Sequence, residues 1–113
     1  MPFEVTNPVS SIRNLGPRSE EEFARAGIHT AEEVHALGPD EAYRRLLAAG
    51  TRPHFIGYYA MVMGMQGRPW NDLDAKEKAS LRQRFDALVA ETKVQGSFER
   101  ELDALGVGKP RRR

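Results

Sequence analysis

Arg13, Asn14, Gly16 and Arg18 stand within one short run, RNLGPRS, whose residue types suit a ligand better than any other stretch of the 113-residue chain. Pro17 fits the first position of a helix, because its missing N–H would have no partner there in any case. The amides that follow Gly16, flanked by two guanidinium groups, could meet a phosphate or an acidic protein surface. Arg44, Arg45 and Arg52 form a second basic set, and Lys109, Arg111, Arg112 and Arg113 a third at the C-terminus. Arg44, Arg45 and Arg52 also fit a solvated helix exterior, and the GKPRRR ending fits a solvated terminus. These eleven residues are the candidates for nucleic-acid or partner contact.

Other chemistry finds little footing. Cysteine is absent, which removes disulfides, thiolate metal sites and cysteine nucleophiles together. His29, His35 and His54 lack the i, i+4 spacing of zinc ligands, so no metal is expected. Ser10, Ser11, Ser19, Ser80 and Ser97 sit in no strained G-x-S-x-G elbow, and no glycine-rich loop ends in GK[ST]. The chain therefore reads as non-enzymatic, with no cofactor. Tyr58, Tyr59 and the methionines at 61, 63 and 65 have helical spacing and read as core. Trp70, the single tryptophan, should anchor its loop onto the body, since one aromatic makes no stacking platform for single strands.

Charge narrows the partners. Seventeen Lys and Arg oppose 16 Asp and Glu; setting aside the four in the last five residues leaves 13 against 16, a net of −3 for the body. An acidic body opposes a broad DNA-binding face, because phosphate affinity needs clustered cations. A hydrophobic fraction of 40% and a charged fraction of 29% fit one soluble globular domain. No run of about 18 apolar residues and no signal-peptide pattern is present, so a cytoplasmic protein without membrane contact is expected.

The elements that position these residues are helical throughout. The first helix should start at Pro17, with Glu20, Glu21 and Glu22 near its positive end, and close at Gly27. Thr30 to Glu33 has capping-box spacing, so a second helix starts near Thr30 and ends at Gly38. Pro39 and Asp40 open a third, DEAYRRLLAAG, ending at Gly50. The run from about Pro53 to Gln66 is apolar around most of its circumference and should form the centre. Gly57 and Gly64, seven apart on one face, would let a neighbouring helix approach closely. After the loop RPWNDL, a D-x-x-E box at Asp74 to Glu77 opens a long amphipathic helix carrying Leu81, Phe85, Leu88 and Val89. A short separate helix is expected around Phe98 to Leu105. No period-two alternation is sustained, so no sheet is expected.

NLGPRSEEEFARAGIHTAEEVHALGPDEAYRRLLAAG, with the downstream HFIGYYAMVMGMQGRPWNDL, resembles the C-terminal domain of the TfoX (Sxy) family of bacterial competence regulators. The resemblance spans about Ile12 to Phe85 and rests on the NLGP-x-S lead-in, the GI-x-T-x-E-E hairpin, the EAYRRL helix and the WNDL loop in one order. More distantly, NLGPRS and GIHT are similar to helix-hairpin-helix elements found in DNA repair proteins and in the C-terminal domain of the RNA polymerase alpha chain. The resemblance implies an all-α fold with helix-hairpin-helix-like elements and a role in transcriptional regulation of DNA uptake. It places the helical domain at residues 5–92, ahead of a terminal helix and basic tail at 93–113.

Full-length relatives carry an N-terminal α/β domain, and only about a dozen residues stand in its place here. The chain is thus either part of a longer protein or a stand-alone member. Asn14 also occupies the position of the first hairpin glycine, and Pro17 contributes no N–H, which weakens a phosphate grip. The reading is a regulatory interaction module that contacts the transcription machinery or a regulator protein, with double-stranded DNA, held by its backbone without base readout, as the alternative. The fold should be a compact bundle of five to six helices that buries Leu15, Phe23, Ile28, Val34, Leu37, Leu46, Phe55, Tyr59, Leu81 and Phe85. If Phe55 is fully enclosed, its truncation to Ala should cost roughly 3 to 5 kcal/mol.

Overall fold

The computed structural model describes residues 6–105, with side chains through Lys93. Lys109 and Arg111, Arg112 and Arg113 lie outside the described residues. A single 3₁₀ turn at Val9–Ser11 precedes five helices: α1 (Pro17–Arg25), α2 (Ala31–Leu37), α3 (Pro39–Ala48), α4 (Phe55–Met65) and α5 (Ala75–Leu105). No strand occurs among the described residues, and the fold is all-α.

The helix starts follow local chemistry. Pro17 and Pro39 stand at the first turns of α1 and α3, where an absent N–H costs nothing. Thr30 Oγ1 accepts the Glu33 N–H at 3.1 Å and the Glu33 carboxylate accepts the Thr30 N–H at 3.2 Å, a complete capping box at α2. At α5 only half of the expected box forms. Asp74 Oδ1 accepts the Glu77 N–H at 2.8 Å, but the Glu77 carboxylate turns instead to Arg68. α4 begins two residues later than Pro53, with His54 as its cap: Nδ1 accepts the Gly57 N–H at 3.1 Å.

No separate helix covers Phe98 to Leu105; α5 runs through that region unbroken for 31 residues. Gly96 was the only breaker available, and a lone glycine costs a helix only about 1 kcal/mol when no proline or cap follows it.

α4 forms the centre, burying Tyr58, Tyr59, Met61, Val62, Met63 and Gly64 on nearly every side. An aromatic chain joins α3, α4 and α5. Tyr43 meets Tyr58 edge-on at 5.1 Å, and Phe85 lies 5.9 Å from Tyr58 and 5.4 Å from Phe55. Of the expected core, Phe23, Ile28, Val34, Leu46, Tyr59, Leu81 and Phe85 are buried, whereas Leu15, Leu37 and Phe55 are only partly so. Phe55 sits at the outer end of the aromatic chain, and the guanidinium of Arg82 covers its ring at 4.9 Å. The truncation cost for a fully enclosed ring therefore does not apply to it. Val9 and Ile12 belong to the core as well; a three-residue turn carries no periodicity by which to foresee this.

Gly64 is closely approached, though by a loop rather than a helix. A Cβ there would stand 1.9 Å from the Arg13 carbonyl oxygen. Gly57 is exposed and meets only its own cap, His54. Trp70 anchors less than expected: it stacks on Tyr59 at 6.5 Å yet stays 48% exposed. The loop is held by Arg68, which donates to the Asp72 backbone oxygen, to the Asp72 carboxylate at 3.1 Å and to Glu77 at 2.8 Å. Hydrogen bonds to Glu77 and then Asp72 push the Arg68 guanidinium further toward its charged form.

Candidate functional site

The basic candidates separate into three environments. Asn14 is exposed, with its side-chain amide tied back to the body. It holds a positive φ of 73°, and its Nδ2 donates to the Ala60 carbonyl at 2.9 Å and the Arg68 carbonyl at 3.0 Å. This asparagine takes the left-handed conformation that a hairpin glycine would take and uses its amide to fasten the lead-in loop to the end of α4. Arg13, beside it, is exposed at an open depression of about 780 Å³ that Glu32 and His35 also line. Gly16 caps α1 in an extended conformation, φ −138°, with nothing within 4 Å of the place a Cβ would take.

Arg44 and Arg45 are engaged with acids. Arg44 pairs with Glu41 and, at 2.9 Å, with Glu91 of α5; Arg45 pairs with Glu41 at 3.0 Å. Hydrogen bonds from Arg45 and then Arg44 hold the Glu41 carboxyl below the usual range. Two guanidinium groups neutralised in this way add little to an anion-attracting surface.

Arg18 and Arg52, 34 positions apart in the chain, come together at a groove of about 660 Å³ between α1 and the α3–α4 connection. Arg25 and His54 line the same groove, and neither was among the sequence candidates for nucleic-acid or partner contact. Arg18, Glu22 and Arg25 repeat at i, i+4 and i+7, one face of a helix, so the α1 wall was legible in principle. His54 left no such signal. Glu22 is the acid within the groove, and Arg18 approaches it at 3.7 Å with a side chain 90% exposed. Among the described residues Arg25 and Arg52 have no ion-pair partner. Leu46 and Met61 lie beneath, together with Tyr43, whose hydroxyl accepts the His54 N–H at 3.0 Å. Burial pushes the Tyr43 phenol upward from its ordinary range, so it stays a neutral partner.

The GIHT hairpin offers few free amides, whereas no side chain caps the start of α1. At GIHT the Glu33 carboxylate accepts from the His29 N–H at 2.6 Å as well as from Thr30. The His29 amide keeps the Glu33 carboxyl below its usual range. A carboxylate thus lies where a bound phosphate would have to be. Among the described residues no three His, Asp or Glu side chains come together to hold a metal. No described helix is long and apolar enough to cross a membrane.

Five helices, two tight hairpins and an open groove of mixed charge define a class: a small all-α hairpin domain whose polar groups mostly bind one another. Within that class the chain belongs to the TfoX C-terminal domain family, which it matches over residues 5–85. A solved structure of an uncharacterized protein from Listeria monocytogenes is similar at 28% identity and a TM-score of 0.64, the match covering 72% of this chain and 92% of that one. No curated protein matches.

Proposed function

We propose that this domain is a non-enzymatic regulatory module of the cytoplasm that acts on transcription of DNA-uptake genes by contacting the transcription machinery or a regulator protein. Family membership supports the regulatory part of this reading. The observation that carries the preference for a protein partner is the use of the hairpin polar groups: Glu33 occupies the GIHT amides and Asn14 is tied to Ala60 and Arg68. The GIHT hairpin is left without the row of free N–H donors that gripping a DNA backbone requires, and at the start of α1, which no side chain caps, Pro17 interrupts that row.

Direct duplex binding is the second reading, favoured by the meeting of Arg18, Arg25 and Arg52 at one groove. Three guanidinium groups beside Glu22 on an acidic body supply few phosphate contacts. Duplex affinity at moderate salt should then be no tighter than about micromolar, with the salt dependence arising mainly from Lys109 to Arg113.

A fluorescence titration of one duplex at two salt concentrations tests this. Deleting Lys109 to Arg113 should remove most binding, while Arg18→Glu should have a small effect. Tight binding that survives the deletion and is abolished by Arg18→Glu would make the hairpin a phosphate clamp and reverse the preference. Removing the domain in its host should also change DNA-uptake transcripts; unchanged transcripts would refute the regulatory role.

A further inference from the structure

The groove between α1 and the α3–α4 connection has two properties that together restrict its ligand. Its charge is locally positive on a negative body: Arg18, Arg25 and Arg52 oppose the single carboxylate of Glu22. Outside the last five residues the chain carries a net of −3, so this rim stands out as an attractor for anions. Beneath the rim, Leu46 and Met61 make the groove partly apolar.

A ligand that answers both must bring carboxylates for the rim and apolar side chains for the floor. We propose that this groove is the docking site for a peptide segment of the partner protein in which acidic residues alternate with large apolar ones. The inference rests on the protein-contact reading given above and names where the contact is made. Planar guanidinium forks pair with carboxylates in two parallel hydrogen bonds, and Arg25 and Arg52, which have no ion-pair partner among the described residues, lose little when they do so. The duplex fits less well. A phosphate backbone has no use for an apolar floor, and Glu22 would repel one of its successive charges. The electrostatic part of the attraction also predicts fast, salt-sensitive association.

The test uses the full chain and a defined probe: a fluorescein-labelled twelve-residue peptide in which Asp and Glu alternate with Leu and Phe. The same peptide with Asn and Gln in place of the acids serves as a control. Anisotropy should show saturable binding of the acidic peptide that weakens at higher salt, and roughly tenfold or more weaker binding of the amide control. Arg25→Glu with Arg52→Glu should weaken the acidic peptide by about tenfold or more, and Arg44→Glu, away from the groove, should not. Arg52→Glu alone, in the loop outside any helix, gives a second variant should the double one lose its helical circular dichroism. Amide shifts in a 15N-labelled sample should cluster at Gly50, Thr51 and Gly57.

Absence of peptide binding, equal binding by the groove variants, or shifts confined to another face would each overturn the assignment. Self-association in sedimentation that the groove variants abolish would overturn it too, by making a second copy the occupant. These failures are separable from failure of the protein-contact reading. With duplex binding still weak and tail-dependent, a silent groove sinks this inference alone, whereas tight duplex binding through Arg18 sinks both.

Discussion

Replacing Gly64 by alanine should detach the lead-in loop from α4. The added Cβ would fall 1.9 Å from the Arg13 carbonyl oxygen and 2.9 Å from its carbonyl carbon, both of them backbone atoms that no rotamer change can move. To reach an ordinary contact the loop must retreat by more than about 1 Å, an overpacking strain typically worth about 1–3 kcal/mol. That retreat also stretches the bonds from Asn14 Nδ2 to the Ala60 and Arg68 carbonyls, now 2.9 and 3.0 Å. Each such bond contributes about 0.5–1.5 kcal/mol. Alanine returns about 1 kcal/mol through its better helix propensity. The net is a loss of about 1–5 kcal/mol, to be read from urea unfolding followed by far-UV circular dichroism. Gly57→Ala is the internal control. Its Cβ would meet nothing closer than the His54 ring at 3.4 Å, so propensity alone acts and the variant should gain about 0.5–1 kcal/mol. A Gly64→Ala protein as stable as the wild type would refute the account of how the hairpin is held.

Tyr43→Phe should cost about 1–2 kcal/mol in the same assay, because it leaves the His54 N–H without the hydroxyl that accepts it at 3.0 Å; an unchanged midpoint would mean that another acceptor takes over. Asp40 joins α3 to α4 and α5, accepting from Tyr58 and, at 2.8 Å, from Arg84. Burial opposes its charge, but the Arg84 and Tyr58 hydrogen bonds together outweigh that and hold the carboxyl below its ordinary value. A lowered folded pKa gives stability that is present above the unfolded value, near 4, and is lost as the pH falls through the folded one. Asp40→Asn should therefore lose about 1 kcal/mol at neutral pH, discounted for partial exposure, and show a flatter acid limb in urea midpoints measured from about pH 2 to 7. Arg68→Lys should lower the thermal midpoint and alter Trp70 emission, since an ammonium cannot bridge Asp72 and Glu77 at once; identical emission would show that the loop holds without the fork.

Much of the fold was legible because helix signals act over four residues or fewer. Pro17, the Thr30 to Glu33 box, Pro39 and Asp74 each marked a start that the backbone obeys, since a cap satisfies amides within its own first turn whatever packs elsewhere. The all-round apolar character of the Phe55–Met65 run likewise marked α4 as the centre, because a helix with no polar face must be covered on every side. Family resemblance was legible for the same reason: the hairpin and loop motifs are contiguous stretches.

The candidate site was decided by tertiary structure. Glu41 one turn before Arg44 was a local sign of pairing, but only the fold adds Glu91 from α5 to it and brings the unpaired Arg52 to a groove with Arg18 and Arg25. Glu77 had the spacing to close a box on Asp74, and Arg68 drew it away because a charged, forked donor outcompetes a backbone amide. Asn14 resembled a surface hairpin residue until α4 and the loop after it each supplied a carbonyl for its amide, and Gly64 resembled half of a helix-packing pair until the Arg13 backbone came to rest on it. Local sequence set where each helix begins, because caps and periodicity are satisfied within a turn. Which charges remained free was set by the packing of α1, α3 and α5, because an ion pair forms between whichever groups the fold brings within a few ångströms.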